Sequence, residues 1–255
     1  MELDLEGKRA LITGGSKGIG LACAHAFAAE GVDLAIAARE VGPLKAATKD
    51  LRTEYGIEVT SHSCDLARPE HQAALAEVVG EVDILVNNAG AVPAGDLEHV
   101  DEKAWRQSWD LKVFGYVNLT RLLLPAMQRR GSGVIINIIG AAAEFPRPGF
   151  VAGSAGNGAL DNLTRALGAQ MFEQGVRVVG VNPGRTLTNR LENLLRQEAA
   201  DRFGNPERWN DLLLNGPQPA RPAEIADVVV FVASERASYL SGTVITVDGG
   251  AGYRQ

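Results

Sequence analysis

The chain contains the stretch Thr13-Gly14-Gly15-Ser16-Lys17-Gly18-Ile19-Gly20 between a short apolar run, residues 9–12, and a segment of helical composition, residues 19–29. An apolar run, a glycine-rich turn and a helical segment in this order predict a strand, a turn and a helix. Glycines lack the Cβ atoms that keep a backbone away from a ligand, so a pyrophosphate can bind at the helix N-terminus. The same turn can also join a strand to a helix without binding anything.

The alternation of strand and helix continues along the whole chain. Further strands are predicted at residues 34–37, 58–60, 83–86, 134–139, 176–181 and 244–247, and helices at about 43 onward, 69 onward, 102–130, 155–174 and 224–233. Such alternation is typical of a parallel sheet covered by helices on both faces. We therefore expect a single α/β domain over residues 1–255, with a doubly wound, seven-stranded, mainly parallel sheet. The polar segment 187–222 is expected to form a lid over the carboxyl ends of the strands.

Composition narrows the classes of ligand. A chain of 255 residues with 45% apolar content can bury one large core. Its net charge of −6 argues against nucleic acid and anionic membranes as partners, because phosphate binding needs clustered cations. The first six residues lack the regions of a signal peptide, and no apolar run reaches the ~18 residues of a membrane span. We expect a cytoplasmic protein with a small-molecule substrate and, since the histidines show no ligand spacing, no metal site.

Two further motifs stand at the ends of predicted strands. Asn87-Asn88-Ala89-Gly90 follows the fourth strand, and Asn182-Pro183-Gly184 follows the sixth. Together with the glycine turn, these motifs resemble the short-chain dehydrogenase/reductase family over essentially the whole chain, which implies a Rossmann-type fold and a homodimer or homotetramer. The resemblance implies that a dinucleotide is bound by Gly14, Ser16, Lys17, Gly18, Ile19, Gly20, Asp65, Leu66, Asn87, Ala89, Gly90, Pro183, Gly184, Thr186 and Thr188.

Charge at the end of the second strand bears on the choice of dinucleotide. An acid there would accept a hydrogen bond from a ribose 2′-hydroxyl and repel a 2′-phosphate. This chain has Ala38 followed by Arg39, and Lys17 adds a second cation from the glycine turn. We therefore expect NADP(H) to be favoured over NAD(H), with Arg39 in the site. Alternatively, both cations are solvated surface charges.

The resemblance also implies a catalytic Asn, Ser, Tyr and Lys, and the chain departs from the family at all four places. Aligning Asn157-Gly158-Ala159-Leu160 with the family's Lys-Ala-Ala-Leu pattern places Gly153 at the Tyr. Gly140, thirteen residues earlier, then falls at the Ser. On the preceding helix, Trp105 and Gly115 fix a register that puts Lys112 at the Asn.

Lys and Asn have thus changed places, and we hypothesise that Lys112 and Asn157 are the catalytic pair. Lys112 would bring an ammonium to the nicotinamide ribose from the opposite helix; alternatively, it is a helix lysine that reaches to solvent. Gly140 and Gly153 provide no proton donor and are expected to enlarge the mouth of the site. Tyr116 is on the same helix face as Lys112, although ordinary helix packing is the better explanation for it.

Four polar residues follow predicted strands or stand near their ends and are candidate substrate contacts: Asn137, Glu144, Arg147 and Arg185. Solvated loop charges explain the last three equally well. The leading hypothesis is an NADP(H)-dependent oxidoreductase on a small carbonyl or alcohol substrate, with an atypical proton route. The alternatives are a repurposed lyase, isomerase or hydrolase, and a noncatalytic NADP(H)-binding protein.

Overall fold

The computed structural model describes residues 2–214 and 218–254. The strands are β1 (Arg9–Thr13), β2 (Asp33–Ala38), β3 (Val59–Ser63), β4 (Ile84–Asn87), β5 (Gly133–Ile138), β6 (Val176–Pro183) and β7 (Val244–Val247). They form a seven-stranded sheet in the order β3-β2-β1-β4-β5-β6-β7, and every neighbouring pair is parallel. The predicted α/β class, strand number and doubly wound sheet are confirmed. The strand order reverses between β1 and β4, and ligands of such sheets bind beyond the carboxyl ends of the strands at this point.

The described part of the chain contains eight α-helices, most of which pack on the two faces of the sheet. They are α1 (Gly18–Ala29), α2 (Val41–Tyr55), α3 (Pro69–Val79), α4 (Glu102–Trp109), α5 (Gly115–Arg130), α6 (Val151–Met171), α7 (Asn189–Phe203) and α8 (Pro222–Ala233). Ala10 and Ile12 of β1 belong to a core shared with α1, α2 and α8, whereas Leu11 belongs to a core with α3, α5 and α6. Successive residues of β1 are therefore buried on opposite faces, as the near-continuous apolar strands require.

The long helix predicted over residues 102–130 is interrupted. A π-helical turn, Asp110–Phe114, separates α4 from α5, and Lys112 lies at its centre. The interruption is a single turn within a longer stretch of helical composition, and the sequence pattern does not predict it. Such turns occur often at functional sites.

Helix α6 begins at Val151, four residues before the predicted start at about 155. Its first turns contain Gly153 and Gly156, and glycine lowers helix propensity by about 1 kcal/mol relative to alanine. The turn is nevertheless closed by a hydrogen bond from the Ser154 amide to the Phe150 carbonyl (2.8 Å). Tertiary packing here overrides local propensity.

The segment predicted as a lid leaves the sheet after β6. It contains α7 and a 3-10 helix, Pro206–Leu213, while residues 215–217 lie outside the described residues. Its two ends meet in a short bridge, in which the Leu187 amide donates to the Ala220 carbonyl (2.8 Å) and the Ala220 amide to the Arg185 carbonyl (2.9 Å). The excursion is therefore anchored at its base. Within residues 2–214 and 218–254, no helix combines the length and apolarity needed to cross a membrane.

Candidate active site

A cavity of about 1080 Å³ opens at the carboxyl ends of the strands, where the strand order reverses between β1 and β4. Its walls come from the glycine turn, the segments that follow β2, β4, β5 and β6, and the first half of α7. Of the residues expected to bind a dinucleotide, the lining includes Gly14, Ser16, Lys17, Gly18, Ile19, Arg39, Leu66, Ala89, Gly90, Pro183, Gly184, Thr186 and Thr188. Gly20, Asp65 and Asn87 lie outside this lining. The volume is sufficient for a nucleotide together with a small second ligand.

The glycine turn is shaped by close contacts that only glycine permits. Gly14 has φ +66°, and a Cβ there would lie 2.8 Å from the Asn88 Nδ2 atom. A Cβ at Gly20 would lie 2.3 Å from the Gly14 carbonyl oxygen. Gly20 therefore serves the packing of the turn, and its backbone is covered by the turn itself.

Asn88 holds the turn against β4 and was not among the predicted site residues. Its Nδ2 donates to the Thr13 carbonyl (2.8 Å), and its backbone amide donates to Thr13 Oγ1 (2.8 Å). Neighbouring Asn87 is fully buried and donates to Asn137 Oδ1 (2.9 Å) under the cavity. This hydrogen bond between Asn87 and Asn137 links the side chains of β4 and β5 beneath the cavity.

Two cations stand beside the end of β2. Arg39 is exposed and lines the cavity, and Lys17 also lines it. The Lys17 Nζ atom pairs with Glu40 Oε1 at 2.6 Å, and this hydrogen bond lowers the pKa of the Glu40 carboxyl. Both partners are more than half exposed, so the pair is weak and can open for a ligand. This end of the cavity therefore offers the donors that a phosphate needs, and it fits a dinucleotide that carries one.

Lys112 lies at the other end of the cavity. Its Nζ atom donates to the Ile139 carbonyl (2.5 Å), and its stem passes Gly90, where a Cβ would be 3.1 Å from Lys112 Cδ. Burial, followed by the nearby Arg190 charge, lowers the pKa of Lys112 to about 7. The amine can therefore exchange a proton near neutral pH.

Asn157 faces the same turn from α6. It is 3% exposed, and its Nδ2 atom donates to the Gly140 carbonyl over 3.4 Å, next to the carbonyl that binds Lys112. Its Oδ1 atom is buried and has no hydrogen-bond partner among the described residues. An unpaired buried acceptor is costly, and this oxygen lacks a hydrogen-bond donor within the described part of the chain.

Gly140 and Gly153 do not enlarge the mouth, contrary to the expectation from the sequence. A Cβ at Gly153 would lie 2.0 Å from Phe150 Cε1, so the phenyl ring fills the space of the absent side chain. Gly140 has φ +135°, and a Cβ there would lie 2.9 Å from Asn157 Nδ2. Both spaces are thus occupied by neighbouring side chains that themselves line the cavity.

The remaining hydroxyl and carboxyl candidates are engaged elsewhere. Buried Tyr116 donates to the Ile138 carbonyl (2.9 Å), and burial raises the pKa of its phenol. Glu144 accepts hydrogen bonds from Thr246 Oγ1 (2.7 Å) and the Tyr253 hydroxyl (2.9 Å). Packing is therefore the role of Tyr116, as the sequence favoured. Arg147 and Arg185 are exposed and line the cavity.

Arg190 is a cavity residue that sequence reasoning missed. It lies in the first turn of α7, and its guanidinium crosses to the loop after β4, where it donates to the Val92 carbonyl. The two residues are 98 positions apart in the chain, so no local sequence pattern predicts the contact.

Comparison with known proteins places this geometry in a family. The short chain dehydrogenase family matches residues 8–199. The chain is 36% identical to galactitol 2-dehydrogenase (L-tagatose-forming) of Cereibacter sphaeroides, over 96% of this chain and 95% of that protein. It is 30% identical to 7alpha-hydroxysteroid dehydrogenase of Escherichia coli strain K12, over 97% and 95% respectively. The crystal structure of L-sorbose reductase from Gluconobacter frateurii with NADPH and L-sorbose superposes with a TM-score of 0.93, at 33% identity over all of both chains. This chain belongs to the short-chain dehydrogenase family.

Proposed function

We propose that this protein is an NADP(H)-dependent oxidoreductase that interconverts a secondary alcohol and a ketone on a small polyhydroxylated substrate. The observation that carries the proposal is one continuous cavity, which has the glycine turn and Arg39 at one end and Lys112 and Asn157 at the other. Relatives that act on galactitol and on L-sorbose support a polyol or sugar as substrate, and the NADPH in the sorbose reductase structure supports the cofactor.

The cofactor end fits a phosphate-bearing dinucleotide. The glycine turn, held by Asn88, leaves room for a pyrophosphate, and the exposed Arg39 can bind a 2′-phosphate. A bound dinucleotide would supply the hydride acceptor for oxidation of an alcohol and the hydride donor for reduction of a ketone. The protein's own residues must then hold the substrate and handle one proton.

We assign that proton to Lys112. For each alcohol oxidised to a ketone, one hydride leaves the carbon and one proton leaves the hydroxyl, and the neutral Lys112 amine accepts the proton. In the reverse direction the ammonium returns it to the developing alkoxide. A pKa of about 7 suits this task, because an acid–base group works best near the operating pH. The unpaired Asn157 Oδ1 would accept a hydrogen bond from a ligand hydroxyl and so orient it.

One observation favours a second candidate, a noncatalytic NADP(H)-binding protein. The resemblance places the family's Tyr at Gly153, where the Phe150 ring, which has no proton to give, occupies the space. If Lys112 does not take part in proton transfer, the cavity would still bind a dinucleotide, but no hydride would be transferred.

The two candidates are separated by Lys112→Met, which removes the amine and keeps an unbranched side chain of nearly the same length. We expect NADPH binding, followed by its fluorescence, to be unchanged, while the rate of NADP⁺ reduction with a panel of polyols falls at least about 100-fold. In the parent, that rate should rise with pH through about 7, because the oxidation needs the neutral amine. Lys103→Met, at an exposed position of α4, is the matched control. NADPH binding without any hydride transfer by the parent would favour the noncatalytic protein.

A further inference from the structure

The cavity is lined mainly by basic side chains, whereas the protein as a whole is acidic. The net charge of the protein is −6. Among the described residues that line the cavity, the basic side chains are Lys17, Arg39, Lys112, Arg147, Arg185 and Arg190, and the acidic one is Glu40. Such a concentration of one sign in a concave site attracts ligands of the other sign.

The cations fall into two groups. Lys17 and Arg39 stand beside β2 at the end that fits the dinucleotide phosphates, and Glu40 pairs with Lys17 there. Lys112 and Arg190 stand at the far end, held by the carbonyls of Ile139 and Val92. In the part of the chain that the structure describes, neither of these two pairs with a carboxylate.

The position of Arg190 is not explained by the stability of its helix. It lies in the first turn of α7, where the helix dipole favours acids and disfavours cations. It also lies close enough to Lys112 for its charge to lower the pKa of that amine. Arg190 is exposed, and two neighbouring cations without a counterion raise the positive potential at this end of the cavity, which favours a ligand that carries negative charge.

The donors of Arg190 are not exhausted by its contact with the protein. A guanidinium has five N–H groups in a planar fork, and the contact recorded for Arg190 in the described chain is the one to the Val92 carbonyl. The remaining donors match the two oxygens of a carboxylate or phosphate, which arginine binds in pairs. Arg147 and Arg185, exposed at the same cavity, add positive potential along the route of entry.

We infer that the substrate carries an anionic group, a carboxylate or a phosphate, and that Arg190 binds this group at the end of the cavity beside Lys112. The inference rests on the proposed function and narrows its substrate class from polyols to polyhydroxylated acids or sugar phosphates. An anion beside Lys112 also favours the protonated form of the amine. Binding of an anionic substrate would therefore place a proton on Lys112, and the reduction of a ketone needs that proton.

The test compares pairs of compounds that differ at one carbon, which is a carboxylate in one member and a hydroxymethyl group in the other. D-gluconate and D-glucitol, D-galactonate and D-galactitol, and D-xylonate and D-xylitol are titrated into the NADPH-bound protein by calorimetry, and D-glucitol 6-phosphate tests the phosphate. We expect the anionic member to bind at least about tenfold more tightly in one or more sets, and this preference to weaken as salt is raised. Tighter binding of an aldonate would identify the anionic group as a carboxylate, and tighter binding of D-glucitol 6-phosphate would identify it as a phosphate.

Three variants connect the preference to Arg190. Arg190→Gln is expected to abolish it and leave NADPH affinity unchanged, Arg190→Lys to keep part of it, and Arg106→Gln, an exposed position on α4, to keep all of it. The inference is overturned if no anionic probe binds more tightly than its neutral partner, or if the preference survives in Arg190→Gln. A loss of NADPH affinity without a change in preference overturns it too, because Arg190 would then serve the cofactor.

Failure of this inference and failure of the proposed function give different results. If neutral polyols are oxidised with NADP⁺ and no anionic probe is preferred, the oxidoreductase stands and the anionic substrate does not. If anionic probes bind through Arg190 but NADP⁺ is never reduced, the anion site stands and the redox reaction does not.

Discussion

The Phe150 ring occupies the volume in which a side chain at Gly153 would begin. A Cβ at position 153 would lie 2.0 Å from Phe150 Cε1 and 2.1 Å from Phe150 Cζ. The two residues are therefore coupled, since any side chain at 153 must displace the ring. A glycine at 153 and a phenylalanine at 150 together form one packed unit at the start of α6.

This coupling predicts the outcome of placing a tyrosine at position 153. Gly153→Tyr alone should lower the free energy of unfolding by roughly 1–3 kcal/mol, the usual cost of overpacking. Phe150→Ala combined with Gly153→Tyr should recover most of that loss, measured by urea unfolding in a double-mutant cycle. Additive effects of the two changes would contradict the coupling, and Gly158→Ala, where a Cβ meets open space, serves as the control.

A second prediction concerns Gly140, where two independent features disfavour any other residue. Its φ of +135° strains any L-residue, and a Cβ would lie 2.9 Å from Asn157 Nδ2. Gly140→Ala should therefore destabilise the protein by about 1–3 kcal/mol. Adding Asn157→Ala should recover the steric part alone, because the backbone strain stays. Full recovery in the double variant, measured by thermal unfolding, would show that the strain at 140 is negligible.

The sequence predicted the frame of this protein well because the frame depends on local patterns. Apolar runs marked most of the seven strands, β3 was predicted from the alternation of elements around Glu58-Val59-Thr60, and β7 was bounded without error. The ends of other elements moved by a few residues. The start of α6 was missed because Gly153 and Gly156 weaken the helical pattern there.

The candidate site was only partly predictable, and the reason is physical. The cavity residues in and around the glycine motifs were found because backbone geometry requires glycine at fixed spacing. The filling of position 153 by Phe150 and the contact from Arg190 to Val92 were missed because they arise from packing between segments. The sequence predicted open space at Gly140 and Gly153, whereas the side chains of Asn157 and Phe150 occupy that space.

A third prediction follows from the depressed pKa of Lys112. The amine titrates near 7 in the folded protein and near 10.4 in an unfolded chain, so between these values the unfolded state holds the extra proton and stability rises with pH. Below pH 7 the penalty of the buried ammonium is fully present. Lys112→Met should therefore be more stable than the parent by about 4–5 kcal/mol at pH 6, and this pH-dependent difference should fall below about 1 kcal/mol by pH 10.

Urea unfolding of the two proteins from pH 6 to pH 10 measures this difference directly. Groups that titrate identically in both proteins cancel in the comparison, which isolates Lys112. Lys103→Met, exposed on α4, should show a difference from the parent that does not depend on pH. A pH-independent difference for Lys112→Met as well would mean that the amine is ordinarily solvated.

The last prediction concerns the cations beside β2 and the 2′-phosphate of the cofactor. Arg39→Gln should weaken NADPH binding about tenfold and leave NADH binding unchanged, because only NADPH carries the 2′-phosphate. Glu40→Gln should act in the opposite direction. It releases Lys17 from the 2.6 Å pair and removes a negative charge from the cavity, so NADPH affinity should rise a few-fold. Fluorescence titration measures both, with Glu77→Gln, exposed on α3, as the charge-matched control. Equal changes for NADPH and NADH in Arg39→Gln would mean that Arg39 binds a part shared by both cofactors, and the basis for preferring NADP(H) would be lost.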